Sequence, residues 1–334
     1  MDLPSQGIAK VQHYVPQFLL RNFGNGKKRQ LHVFDKRTMR TFCTNVRNVA
    51  GESRFYDFEF QKHSLTMEPS LSELEGKAKP IFNRVIEQDS LSALTIEDQA
   101  LLSVFFSLQY TRTRWFREQW RSIPELLAVK LRQTLGSEGE LKAVEEYIRI
   151  PDENQTTMEL ARFMTNAPKQ FAPHFADKVW VLLKTECTSP FMIGDNPLAL
   201  QNQLDHGLRG NLGLAVRGIE IYFPLTPTRA LALWCPSHEE LFRKAAHDLH
   251  TRSRIAPYKV ATYFQDPMVI EQTIVAIESG RPLPFRPDNV TNFNSLQIRY
   301  AERYVFANKG EFSLAREMVT LVPELRGGPR FCAD

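Results

Sequence analysis

A chain of 334 residues that is 43% hydrophobic and 11% aromatic can bury a large core, which excludes intrinsic disorder. Lysine and arginine number 42 against 38 aspartates and glutamates, and this excess of +4 does not by itself argue for nucleic-acid binding. Cys43, Cys187, Cys235 and Cys332 are far apart and form no C-x-x-C pair, which excludes a disulfide framework or a zinc cluster and predicts reduced, mostly buried thiols.

Met1-Asp2-Leu3-Pro4-Ser5 lacks the pattern of a signal peptide, and no apolar run approaches the roughly 20 residues of a membrane span, so a soluble cytoplasmic protein with no membrane partner is expected. Residues 1–12 are polar and read as a flexible arm. From His13 to Phe23 the apolar positions suit a short helix that starts near Pro16 and stops at Gly24-Asn25-Gly26. Lys27-Lys28-Arg29 reads as a solvated basic loop. Residues 31–36 and 40–44 predict a hairpin, and 48–60 a further extended piece.

Helical spacing then dominates residues 66–175. The elements expected are a helix over 71–86, a helix capped at Thr95 with Asp98 on its dipole and running to Trp120, a helix begun by Pro124, and helices over 140–148 and 157–171. Strands are expected at 179–183, 191–193, 218–224 and 230–235, followed by helices at 237–247, 267–279 and 289–308.

Four places combine residue types with chemical consequence. His13 and Gln17 lie four apart, where an imidazole could serve as base or ligand, or simply cap the helix. Glu68 and Glu75 lie seven apart, although Pro69 places Glu68 just before the helix. Arg112 falls on the apolar face of Phe105, Leu108 and Trp115, with Gln109 at its border. A guanidinium there needs a carboxylate, from Glu75 or Asp195, or a ligand phosphate. Ile193-Gly194-Asp195-Asn196-Pro197 ends an apolar strand in a sharp turn that presents a carboxylate, which suits either a functional loop or an Asx-turn. Asn294 reads as a satisfied core amide. Walker, G-x-G-x-x-G and G-x-S-x-G motifs are absent from the sequence.

His13-Tyr14-Val15-Pro16-Gln17 with Phe23, Glu52-Ser53-Arg54-Phe55-Tyr56, Gln109-Tyr110-Thr111-Arg112-Thr113, Ile193-Gly194-Asp195-Asn196-Pro197, and Asn294 with Ala301-Glu302-Arg303-Tyr304-Val305 resemble a bacterial family catalogued as a domain of unknown function. In that family Ser usually precedes Asp-Asn-Pro. Gly194 stands there in this chain, so a hydroxyl is not required. The resemblance covers about residues 10 to 310 and implies one continuous domain, without naming an activity.

The expected fold is α+β, a largely helical middle region packed on a mostly antiparallel sheet formed by N-terminal and C-terminal strands. Residues 13–310 would form a single domain and 311–334 a C-terminal extension. The polar set is expected to share one cleft, with His13, Gln17, Glu75 and Asp195 catalytic and Gln109, Arg112 and Asn196 binding substrate. Glu75 and Asp195 would hold a divalent metal, Mg or Mn. Such groups suit hydrolysis of a phosphate ester, nuclease-like or nucleotide-cleaving, with nucleic acid or a nucleotide as partner. The competing expectation is a non-catalytic module, binding nucleic acid or protein, whose polar set is a buried structural network.

Overall fold

The computed structural model describes residues 10–26, 28–134, 151–204 and 212–330. The expected helix at 140–148, Lys27 and Cys332 lie outside the described residues.

The N-terminal third alternates short strands with one small helix. β1 (Val11–His13) leads into α1 (Gln17–Arg21), for which Pro16 supplies the fixed φ of the N-cap. Val11 and Gln12, read from sequence as part of the arm, belong to β1, and buried Gln12 accepts from the Tyr56 amide. β2 (Gln30–Asp35) and β3 (Arg40–Asn45) form the expected hairpin. β4 (Gly51–Ser53) pairs with β1, and β5 (Asp57–Phe60) pairs with β6 (His63–Thr66).

The helical middle comprises α2 (Glu68–Gln88), α3 (Ile96–Thr111), α4 (Arg114–Thr134) and α5 (Glu153–Ala176). Thr95 and Asp98 exchange reciprocal bonds in a capping box that fixes the start of α3. The single helix expected from 98 to 120 is two. Arg112 caps the C-terminus of α3, and the Thr113 hydroxyl accepts from the Phe116 amide at 3.3 Å, starting a new helix. Pro124 does not begin a helix but lies inside α4.

Two sheets follow from the remaining strands, β7 (Val179–Lys184), β8 (Ile193–Gly194), β9 (Ala199–Asn202), β10 (Ile219–Thr226), β11 (Arg229–Trp234), β12 (Leu283–Pro284) and β13 (Tyr304–Ala307). The larger has the order β12-β7-β11-β10-β9 and is antiparallel except for the β12–β7 pair. The smaller, β3-β2-β13-β8, joins the two ends of the chain, with Tyr304 opposite Asp35. The protein is therefore α+β with antiparallel sheets. Between β11 and β13 run α6 (Pro236–Ile255), α7 (Val260–Tyr263), α8 (Pro267–Ser279) and α9 (Pro287–Tyr300), and α10 (Ser313–Leu321) follows β13. The helix expected over 289–308 ends at Tyr300, because the next residues are turned into β13 by a bond set described below.

Phenylalanine makes the contact between helices and sheet. Phe82 of α2 and Phe105 of α3 meet edge to face at 5.3 Å, and Phe106 meets Phe223 of β10 at 5.0 Å. Each such pair adds about 0.5–1.5 kcal/mol to the burial of its rings. The C-terminal stretch is tied down as well, since Trp115 Nε1 and Gln119 Nε2 both donate to the Pro329 carbonyl at 2.7 Å. Thiols expected to be buried are not: Cys43 and Cys187 are exposed and Cys235 is half-buried. Among the described residues no helix is long and apolar enough to cross a membrane.

Candidate active site

The His13 ring lies against backbone. β1 and β4 pair with His13 opposite Gly51, where a Cβ would stand 2.9 Å from His13 Cδ2, so only glycine leaves room for the imidazole. His13 Nε2 lies 3.3 Å from the Arg47 carbonyl, and Nδ1 lies 3.3 Å from Gln17 Nε2. Gln17 Oε1 accepts from Arg21 Nη2 at 3.0 Å, one turn further along α1. Burial pushes the imidazole below its usual 6.5, against the Arg47 bond and the Glu75 charge, so it is neutral at pH 7.

α2 supplies the facing wall. Glu68 is the first residue of α2 rather than the residue before it, and Pro69 sits in the first turn, where a missing N–H costs nothing. Glu68, Ser72, Glu75, Gly76 and Lys79 therefore recur along one side of the helix. With His13, Gln17, Phe18 and Arg21 they line an open cleft of about 330 Å³. Burial and the neighbouring Glu75 charge raise the Glu68 carboxyl above its usual 4.5.

Glu75 is held from behind. Arg112 Nη1 donates to Glu75 Oε1 at 2.8 Å, and its Nε donates to Gln109 Oε1 at 2.8 Å. Gln109 Nε2 in turn donates to the Tyr14 carbonyl at 3.0 Å, next to His13. Arg112 thus finds its carboxylate in Glu75. Its side chain is 2% exposed, and Gln109 has no exposed surface. Both were expected to bind substrate; they lie buried behind Glu75 and position it instead, with Arg112 Nε and Nη1 bonded and its Nη2 left without a partner.

Asp195 and Asn196 do not line this cleft. Asp195 has no exposed surface and accepts from the backbone amides of Glu302 at 2.6 Å, Arg303 at 3.0 Å and Tyr304 at 3.0 Å. Its own amide donates to the Tyr304 carbonyl at 2.9 Å. This bond set turns the chain from α9 into β13. Burial pushes the carboxyl up to about 6, while the amide bonds and the Lys36 charge pull the other way. Asn196 Nδ2 donates to the Tyr300 carbonyl at 3.3 Å. A catalytic role for Asp195, a substrate contact for Asn196 and a metal shared by Glu75 and Asp195 all required these groups to meet in solvent. The structure seals Asp195 and Asn196 in the interior and pairs Glu75 with Arg112. Among the described residues no group of three or more His, Cys, Asp or Glu side chains is arranged to hold a metal ion.

The motif region around Asp195 is a scaffold lock with further members. Asn294 accepts from the Met192 amide and donates to the Pro190 carbonyl, as a core amide should. A Cβ at Gly194 would lie 2.8 Å from the Gln297 carbonyl, so glycine is what lets β8 approach α9 this closely. Sequence reasoning missed Lys36, whose fully buried ammonium donates to the Ile298 and Ala301 carbonyls at 2.6 Å, and the buried Glu302, which pairs with Arg37 and Arg330. It also missed Gly51 against the His13 ring, and Arg21 and Lys79 in the cleft. Arg21, four residues after Gln17, was the one available signal.

The family described as Protein of unknown function (DUF4238) matches residues 11–311. The chain belongs to this family. That match spans both the cleft and the lock. The chain matches no curated protein and no solved structure.

Proposed function

We propose that the cleft is the active site of a hydrolase acting on a phosphate ester, nuclease-like or nucleotide-cleaving. The observation that carries this reading is the placement of a neutral imidazole and a carboxyl of raised proton affinity in one open cleft with two cations, Arg21 and Lys79. The cations suit the charge of a phosphate group. His13 takes a proton from the attacking water as its oxygen bonds to phosphorus. The P–O bond to the leaving group breaks, and protonated Glu68 supplies the leaving oxygen with its proton. Solvent then returns the proton from His13 to Glu68. Ser72 lines the same cleft and orients the substrate.

Glu68 and Glu75 are the cleft carboxylates that would hold a divalent cation, Mg²⁺ or Mn²⁺, Glu75 through the oxygen that Arg112 does not engage. The proton transfers above do not require it, and comparing turnover with and without chelator decides the point. The deciding experiment is cleavage of bis(p-nitrophenyl) phosphate, nucleotides, and single- and double-stranded nucleic acids by wild type and His13→Asn. Turnover lost in the variant, with an unchanged melting curve, supports the reading. Wild-type protein inert toward every one of these substrates overturns it and leaves a structural polar network.

A further inference from the structure

Arg21, Gln17 and His13 are joined by bonds whose directions are forced. A guanidinium only donates, so Gln17 Oε1 must face Arg21 Nη2, and the Gln17 amide nitrogen is turned onto His13 Nδ1. A carbonyl only accepts, so His13 Nε2 carries the ring proton toward Arg47, and the lone pair sits on Nδ1. The Gln17 N–H therefore covers the one basic atom of the imidazole. Flipping the amide to accept a proton from Nδ1 would turn its N–H₂ onto the Arg21 guanidinium, donor against donor. While Arg21 holds Gln17, the base is capped.

We propose that Arg21 and Gln17 form a latch on His13 that a phosphate-like anion opens by drawing Arg21 off Gln17. This rests on reading the cleft as a phosphate-ester site. Lys79, the other cation lining the cleft, is the second contact for the same anion. The groups around the imidazole set the sign. Arg21 on α1 and Arg112 at the end of α3 oppose its protonation, and Glu75 on α2 favours it, with Glu68 and Lys79 lining the same cleft. An anion on Arg21 thus uncovers Nδ1 and removes a repulsion together. His13 becomes both accessible and more basic when a phosphate is in place. Arg21 contacts the anion, and Gln17, which acts through His13, is a positioning residue.

The test follows His13 in the full chain by ¹⁵N NMR and by its rate of modification with diethylpyrocarbonate, using inorganic phosphate as the anion. Wild type should show the Nε2–H tautomer, and phosphate should raise the His13 pKa and speed modification about tenfold, the worth of one hydrogen bond. Arg21→Met and Gln17→Ala should each react at that faster rate without phosphate. The double variant should be no faster than Arg21→Met, and the phosphate effect should shrink in Gln17→Ala, where only the Arg21 repulsion is left to remove. An Nδ1–H tautomer in wild type, Arg21→Met reacting at the wild-type rate, or an undiminished phosphate effect in Gln17→Ala overturns the latch. The tautomer and the phosphate response are read on wild type, so a misfolded variant leaves the proposal testable. Correct latch behaviour without hydrolysis of any phosphate ester overturns the function alone; hydrolysis with the Nδ1–H tautomer overturns the latch alone.

Discussion

His13 and Asp195 are both polar residues set among large apolar ones, and the protein uses them in opposite ways. Asp195 is sealed and takes three backbone amides, while His13 is half-buried beside an open cleft and holds two bonds of 3.3 Å. The difference lies in the partners. Backbone amides from a turn cannot leave without undoing the turn, so Asp195 is committed to the fold. A side-chain amide and one carbonyl at long range can be exchanged for a ligand. Satisfaction by backbone marks the lock around α9 and β13, and satisfaction by side chains at a solvent edge marks the site.

The sharpest way to break that contrast is to remove both carboxylate oxygens from the lock. Asp195→Ala strands the buried Glu302 amide and the partly buried amides of Arg303 and Tyr304, a buried one costing about 1–3 kcal/mol unpaired, so denaturant unfolding should show a loss of about 3 kcal/mol or no folded protein. A loss under 1 kcal/mol would mean that the turn into β13 does not depend on Asp195. Its proton linkage has a definite sign. The folded carboxyl is pushed from 3.8 up to about 6, so the folded chain binds a proton more tightly, and the contribution of Asp195 to stability falls as pH rises through that window. Asp195→Asn should remove that component of the slope between those two pH values. An identical slope in wild type and variant would place the raised carboxyl elsewhere.

Arg112 stands between the two regions, buried like the lock but bonded to a cleft carboxylate. Arg112→Met leaves Gln109 Oε1 and Glu75 without their donor, a cost of about 2–3 kcal/mol given that Glu75 keeps some water. Glu75→Gln, which keeps an acceptor for Arg112, should cost less than half as much. Equal losses would show that Arg112 depends on the charge of Glu75 and not on its hydrogen bond.

Periodicity made much of the fold legible, because an apolar stripe and a capping box such as Thr95–Asp98 are local facts of the sequence. The breaks were not. The end of α3 at Arg112 depends on the Thr113 hydroxyl capping the next helix, and the end of α9 depends on Asp195, about a hundred residues away in sequence. The same nonlocality governed the site. Glu75, Gln109 and Arg112 could be grouped because each is a polar group near an apolar stripe. Asp195 satisfied the same criterion and belongs elsewhere, since nothing in its own turn reveals that Glu302, Arg303 and Tyr304 will offer it their amides. Lys36 and Glu302 carried no expected role because a charged residue in a strand or loop reads as solvated until the chain's two ends are brought together.

A smaller perturbation tests whether the cleft is set by its backbone. Gly51→Ala places a methyl 2.9 Å from His13 Cδ2 and should displace the ring at a cost of about 1 kcal/mol in stability. For a base whose reach is set by ring position, turnover should fall about tenfold, more than stability suggests. Turnover unchanged in Gly51→Ala would show that ring position is not what the cleft needs.

The smallest effect on stability and the largest on chemistry belong to His13 and Glu68 themselves. His13→Asn and Glu68→Gln should each change unfolding free energy by less than about 1 kcal/mol, because both side chains keep water. Their signature is the pH profile. Activity needs His13 neutral, so the acid limb falls below a pKa lowered from 6.5, and it needs Glu68 protonated, so the alkaline limb falls above a pKa raised from 4.5. The two shifts run toward each other, and the optimum of kcat/KM falls midway between the two pKa values, in mildly acidic solution. Glu68→Gln should remove the alkaline limb and leave the acid limb of its residual rate in place. A wild-type optimum above pH 8 would mean that the proton donor and acceptor are not this pair, and the cleft would lose the feature that separates it from the lock.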